Sequence, residues 1–505
     1  MPAHRHPSPI SSALAGFAFV AGLALPTLAV AQPVEPPATT PTDAPVDDGS
    51  GLYVIVEATS RPLDALLVLP PTCTLPKASC DLVENVLAND TRLSGILRPL
   101  RGNPGMIASL VKSAPPNLDI RRPAAQGTGA QYVLATVLKP SKTAGLVTLT
   151  AGVVDVRDGK RLDLGSWAVQ EAPSGSLRSM AHRVMNAVHG ALTGVEGSFD
   201  TLVFYSAPGP GCDRCIWQVE ADGFNRRIIV GDKSIHMFPV QFLDGSLAYT
   251  SFRTDMPSLF KLDLAQLNAI ADFAPVVPKK NKGKGKKAAA APIDPLAVPQ
   301  PFASGEDLQF RGCAQNVNGD IVATINDGDQ ADIWQLAYDG SPSRNLTRNE
   351  ADDLGASYSP DGSQIAFVSD RTGSPQIYVM NADGSDQRRL TFVGPYNSDP
   401  DWGHGGKIAF SGLRGSAIDI LTVDLQGRIQ RLTPGMGKRS LEPSWSPDGK
   451  RLVYSSNEDG KGYRLWVTSH DGASREPLDV PAAAGYYTPS WQRIPGKAPK
   501  AFTGH

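Results

Sequence analysis

Tyr358-Ser359-Pro360-Asp361-Gly362, Trp402-Gly403-His404-Gly405-Gly406 and Trp445-Ser446-Pro447-Asp448-Gly449 are three versions of one pentapeptide, 44 and 43 residues apart. Each is followed by an apolar run (365–368, 408–410, 452–454) and, after a polar loop, by a second run (376–380, 419–423, 464–467). A tight turn then leads to Arg389-Leu390-Thr391, Arg431-Leu432-Thr433 or Pro477-Leu478. Four short strands every ~40 to 45 residues is the spacing of a β-propeller blade.

Weaker copies run backwards through Asn318-Gly319 with Asp332-Ile333-Trp334, and through Asp244-Gly245 with Leu259-Phe260-Lys261. The excess length between these two copies sits in residues 268–300, a lysine-rich and then Ala/Pro-rich stretch that reads as a disordered insertion within one blade. Residues 200–231 hold only three strands, and Tyr487-Thr488-Pro489-Ser490-Trp491 is a first strand with no blade after it. Joined, they make one blade and remove two open sheet edges. The expectation is a six-bladed, WD40-like all-β propeller over 198–494, with a C-terminal tail over 495–505.

Ahead of it, residues 51–197 mix periods. Leu82, Val83, Val86 and Leu87, and Leu177, Met180, Ala181, Val184, Val188 and Leu192, recur at helical spacing. Residues 52–56, 65–69, 132–138, 146–156 and 162–169 read as strands, with a hairpin turn at Asp158-Gly159. This is an α/β domain. Residues 1–31 read as a signal peptide ending Ala29-Val30-Ala31, and 32–50, rich in Pro, Thr and Ala, as a disordered tether. Gln32 rather than Cys follows the expected cut, so no lipid is expected there and the mature chain should enter no membrane. The 505 residues carry 48 Lys plus Arg against 50 Asp plus Glu, a balance that gives no field for nucleic acid.

Five cysteines suggest two short-range disulfides, Cys73 with Cys80 and Cys212 with Cys215, leaving Cys313 unpaired. A zinc reading of Cys212 and Cys215 lacks a second ligand pair, and a redox reading lacks a strand-to-helix context.

Propeller topology places the blade-to-blade loops on one face, here called upper, and the Asp-Gly turns on the lower. His236 falls on the upper face, His404 and His470 on the lower, so no histidine set converges for metal-dependent lysis. There is no Gly-x-Ser-x-Gly nucleophile elbow, and Gly127-Thr128-Gly129 lacks the third glycine of a dinucleotide site. Asp352, Asp399 and Asp401 near the upper mouth are oxygen donors suited to Ca²⁺, although turn capping and solvation are the simpler and preferred reading. No cofactor is expected. What remains is a non-enzymatic binding surface, with His236, Asn349, Tyr396, Asn397, Arg439 and Tyr486 as upper-loop candidates. Two other readings stand beside it: an exported propeller hydrolase or lyase acting on envelope polysaccharide, and a generic secreted binding module.

Three stretches resemble the TolB family of periplasmic Tol-Pal proteins. They are residues 180–199, with Leu192-Thr193-Gly194 leaving the last helix of the first domain; the Ser-Pro-Asp-Gly repeats at Asp361 and Asp448, with Tyr378-Val379-Met380-Asn381; and 82–100 with Gly129-Ala130-Gln131-Tyr132-Val133-Leu134. The resemblance implies a monomeric periplasmic scaffold supporting outer-membrane integrity and constriction at cell division. Its upper mouth would bind the lipoprotein Pal, its strand Tyr53, Val54, Ile55 and Val56 would contact TolA, and other outer-membrane proteins are further partners by the same implication.

Overall fold

The computed structural model describes residues 55–57, 61–254, 256–265, 299–435, 438–478, 480, 485 and 487–493. The expected signal peptide, tether and tail, nearly all of the lysine-rich insertion, and Tyr53, Val54 and Tyr486 lie outside the described residues. Among the described residues no helix is long and apolar enough to cross a membrane.

The first domain is built from β1 (Ile55–Glu57), β2 (Asp64–Val68), β3 (Thr72–Cys73), α1 (Lys77–Leu93), β4 (Leu97–Arg101), α2 (Pro104–Leu110), β5 (Val111–Ser113), β6 (Asp119–Ile120), α3 (Arg122–Gln126), β7 (Tyr132–Pro140), β8 (Leu146–Asp155), β9 (Arg161–Leu162), β10 (Val169–Pro173) and α4 (Leu177–Thr193). Its sheet runs β10-β8-β7-β2-β4, with β3 against β7 and β9 against β8. The helical stripes meet as their spacing demands: Val83, Val86 and Leu87 of α1 pack with Met180, Val184 and Val188 of α4 on one face of the sheet. Leu110, Leu118, Ile120 and Ala125 close the other face. Gly194 ends α4 with φ 78°, the left-handed stop that a side chain resists, so the Leu-Thr-Gly junction is a helix terminator.

Two elements depart from expectation. The run 162–169 is not one strand. It divides into β9, a 3₁₀ turn at Gly165–Ala168 and β10, because Asp163 Oδ1 accepts the Gly165 amide and Gly165 turns with φ 56°. The first strand also leaves its own domain. β1 pairs in parallel with Ile429–Arg431 of the propeller.

The propeller has six blades of four strands each, the fifth extended by β1 to a five-stranded sheet. The first is composite: Leu202–Gly209, Cys212–Glu220 and Arg227–Val230 are completed by the C-terminal strand Tyr487–Trp491, which pairs with Leu202–Gly209 as the inner strand. The others have inner strands His236–Gln241, Gln309–Gln315, Asp353–Tyr358, Asn397–Trp402 and Ser440–Trp445. In the second blade Ser258–Leu262 pairs with Gln300–Ala303, so the insertion joins its third and fourth strands and Gln300 already belongs to the sheet. The repeat pentapeptide is a turn that fastens itself. Asp361 Oδ1 accepts the Ser359 hydroxyl at 2.6 Å and the Ser363 amide at 3.1 Å, while Gly362 supplies φ 75°. Asp448 does the same for Ser446 and Lys450. Between blades, apolar side chains interdigitate, as where Ile377, Val379 and Leu390 meet Trp402, Ile408 and Phe410.

Candidate functional site

Each inner strand carries one bulge, and one residue there adopts a left-handed backbone: Phe238 (φ 53°), Gly312 (63°), Gly355 (64°), Asp399 (55°), Glu442 (56°) and Thr488 (49°). The ladder registers shift at these places in all six blades. A hydroxyl of the preceding blade holds the turned amide in four of them. Gly312 donates to Thr250 at 2.9 Å, Gly355 to Thr324 at 3.1 Å, Glu442 to Ser411 at 2.9 Å and Phe238 to Thr488 at 3.2 Å. Holding a non-glycine residue in this region costs on the order of 1 to 3 kcal/mol, and such strain concentrates where a side chain must be re-aimed.

The charged bulge residues Asp399 and Glu442, on neighbouring blades, act on each other. Burial pushes the Glu442 carboxyl up to about 7, helped by Asp399, while the Thr488 amide donates to it and Arg214 and Arg311 oppose the rise. Burial likewise raises Asp399, against the Ser398 hydroxyl and Arg311. Near them, Arg214 covers the Tyr487 ring at 4.3 Å, and the Tyr463 and Tyr487 rings lie 6.2 Å apart. Acid, guanidinium and phenol groups from the first, third, fifth and sixth blades thus meet at one mouth.

Of the sequence candidates, Tyr396 belongs to this group; burial and then Asp399 raise its phenol to about 12. Arg439 sits half-buried at the rim, its backbone amide donating to Asn457 and its charge acting on Tyr463. Asn349 is half-buried and donates to Asp353.

His236 and Asn397 are corrected by the structure: both are 0% exposed and serve as struts rather than as surface anchors. His236 Nδ1 meets Ser251 Oγ and Nε2 meets Asp232 Oδ1, each at 3.0 Å. Asn397 donates to Gln376 at 2.7 Å and to Val393 O at 3.0 Å, tying the fifth blade to the fourth. An inner strand begins at each residue, so polar side chains entering the sheet there find partners inside it.

The three aspartates do not form a Ca²⁺ cage. Asp352 accepts the Ala331 amide, and Asp401 accepts the Trp445 amide at 2.7 Å and pairs with Arg493, leaving Asp399 alone in the channel. Among the described residues, the group of three that could hold an ion is Asp90, His182 and Asp222. Sequence reasoning missed Arg214, Arg311, Glu442 and Tyr463. The available signal was positional: Gly355, Asp399, Glu442 and Thr488 each stand three residues before the repeat's aromatic.

Both expected disulfides, Cys73–Cys80 and Cys212–Cys215, are formed. Cys313 is free, and burial pushes its thiol up to about 12.

A second polar region joins the α/β domain to the first and sixth blades. Arg178 pairs with Glu220 at 2.8 Å and Asp222 at 2.6 Å, and Arg92 with Glu476 at 2.9 Å. His182 Nδ1 hydrogen-bonds Asp90 Oδ2 at 2.7 Å. Burial alone would lower His182, but Asp90 and then Glu220 and Asp222 outweigh it and raise the imidazole to about 10. Burial raises Asp90 to about 6 against the pull of His182. Arg451, fully buried between Phe199 and Trp491, donates to Ser198 at 3.0 Å and pairs with Asp448 at 3.3 Å.

Comparison with known proteins shows what this architecture is similar to. Residues 317–494 match the TolB beta propeller domain model. The "Protein TolB homolog" of Chlorobium luteolum is 29% identical over 215 residues, 42% of this chain and 41% of that protein. The "Tol-Pal system protein TolB" of Bordetella pertussis is 30% identical over 213 residues, again 42% and 41%. The match therefore spans less than half the length of these curated relatives. The crystal structure of TolB from Acinetobacter baumannii superposes with a TM-score of 0.67 at 22% identity, covering 86% of this chain and 98% of that one, so the two-domain fold is shared. The chain is TolB-like: an α/β domain followed by a six-bladed propeller whose residues 317–494 match the TolB propeller domain.

Proposed function

We propose that this chain is a periplasmic, non-enzymatic scaffold of the Tol-Pal system that binds Pal at the propeller mouth and TolA through its N-terminal region. The observation that carries this reading is the ring of strained bulges. Six blades hold a turned residue at one level of the channel, and two carboxylates, two guanidinium groups and three phenols cluster at that mouth. Aromatic and Arg side chains of this kind anchor protein interfaces. The Bordetella relative's name places that protein in the Tol-Pal system.

For the N-terminal contact, β1 supports the reading because among the described residues it is the last strand of its sheet, and to such an edge a partner strand can add. The role in outer-membrane integrity and constriction follows from the same assignment. Deleting the gene should leak periplasmic enzymes and yield chained cells, and the protein should co-purify with Pal from cross-linked envelopes. A sealed, normally dividing envelope with no Pal in the cross-links would overturn the proposal.

A further inference from the structure

The seam between the two domains carries a group that partner binding leaves unexplained. Asp90 on α1, His182 on α4 and Asp222 in the turn after Cys212–Glu220 are all buried, each offering a ligand atom within 4.8 Å of the others. His182 Nε2 lies 3.7 Å from Glu220 Oε2 and 4.0 Å from Asp222 Oδ2, yet has no hydrogen-bond partner although the residue is only 3% exposed. Its other nitrogen is held by Asp90. An imidazole fixed by a carboxylate through one nitrogen, with the other nitrogen turned toward two further carboxylates, has the form of a carboxylate–histidine–metal site. Metal–ligand bonds of ~2.0 to 2.2 Å set tetrahedral ligand spacings near 3.4 Å, so the pocket needs a contraction of about half an ångström.

Charge points the same way. Glu220 and the buried Asp222 share one permanent cation, Arg178, while the buried Asp90 is held by His182. Buried charge must be balanced. A donor set of one imidazole and carboxylates suits zinc or cobalt better than calcium, which takes oxygen alone.

We propose that this seam binds one divalent transition-metal ion of the zinc class, with His182 Nε2, Glu220 and Asp222 as ligands and Asp90 orienting the imidazole. Arg178 shares the oxygens facing Nε2 and already lies over the Phe224 ring at 3.9 Å, so a shift along that ring opens the site. Because the ligands come from α4 and from the first blade, the ion staples the two domains.

The test uses the tag-free full-length chain, stripped with chelator, dialysed against Co²⁺ or Zn²⁺ and checked for fold by circular dichroism. The wild type is expected to retain one equivalent, to show visible absorption of four-coordinate Co²⁺, and to gain several degrees in Tm with Zn²⁺. Asp222→Asn and His182→Gln should each lower retention at least tenfold, and Arg178→Gln should hold or improve it. Folded wild type that retains no metal, or folded variants that retain as much as it does, would show that Arg178 and an imidazolium alone fill the seam. The wild-type stoichiometry decides the matter even if a variant fails to fold.

Discussion

Ile55 pairs in parallel with Ile429, so three residues that precede the α/β domain in sequence form the outermost strand of the fifth blade. The attachment is slight. Ile55 and Val56 remain exposed, and Glu57 adds one ion pair to Arg431 at 3.5 Å. Exposed pairs of this kind are worth about 0 to 1 kcal/mol. Amides of 55–57 and 429–431 should therefore exchange far faster than those of the inner strands, and Val56→Pro should free 429–431 further while moving stability by less than about 1 kcal/mol. Hydrogen exchange by mass spectrometry checks this; protection of β1 equal to the inner strands would make it an integral part of the blade.

Closure of the ring rests on Trp491, which is 2% exposed and donates through its indole to Thr201 at 2.8 Å. Trp491→Ala should cost about 3 to 5 kcal/mol, as large aromatic truncations in cores do. Urea unfolding measures it, and an unchanged midpoint would place closure elsewhere.

Arg451 and Asp448 form a buried pair in which the carboxyl is held well below its usual range: burial opposes this, but Arg451, His189 and the hydroxyls of Ser446 and Ser198 outweigh it. Arg451→Met strands a buried carboxylate and should destabilise by about 3 to 5 kcal/mol, whereas Arg451→Met with Asp448→Asn should recover much of the loss. A double variant no better than the single would mean that Arg451 acts by packing against Phe199 and Trp491.

Glu442 makes stability fall with pH. Its carboxyl titrates at about 7 when folded against about 4.5 when unfolded, so between those values the folded state holds the extra proton and loses stability as pH rises. Glu442→Gln should remove that decline between about pH 5 and 7. Tm against pH for both proteins checks the slope; parallel curves would contradict it.

The fold was legible because blades repeat. The aromatic and Asp-Gly positions recur at a fixed distance, and the composite first blade follows from counting strands at the two ends. The α1 and α4 stripes were equally readable from their 3.6-residue period. The placement of Ile55–Glu57 was not, since a short alternating run says only that a strand forms and not which edge accepts it. The binding candidates divided for a related reason: loop position put Tyr396 and Arg439 near the mouth, but His236 and Asn397 start inner strands, where the partners that bury them come from neighbouring strands and blades. The Asp90–His182–Asp222 group was invisible because its members lie 92 and 40 residues apart and meet only when α1, α4 and a propeller turn close on one another.

The measurement closest to the central claim is calorimetric titration of the full-length protein with Pal from the same envelope, repeated with Tyr396→Ala, Arg439→Ala and Tyr463→Ala. The account expects one-to-one binding by the wild type, weakened by about 1 to 3 kcal/mol, roughly five- to 150-fold, when a hot spot among the three is truncated. Folded wild-type protein that shows no heat of binding, or three folded variants that bind as tightly as wild type, would contradict a partner site at the channel mouth.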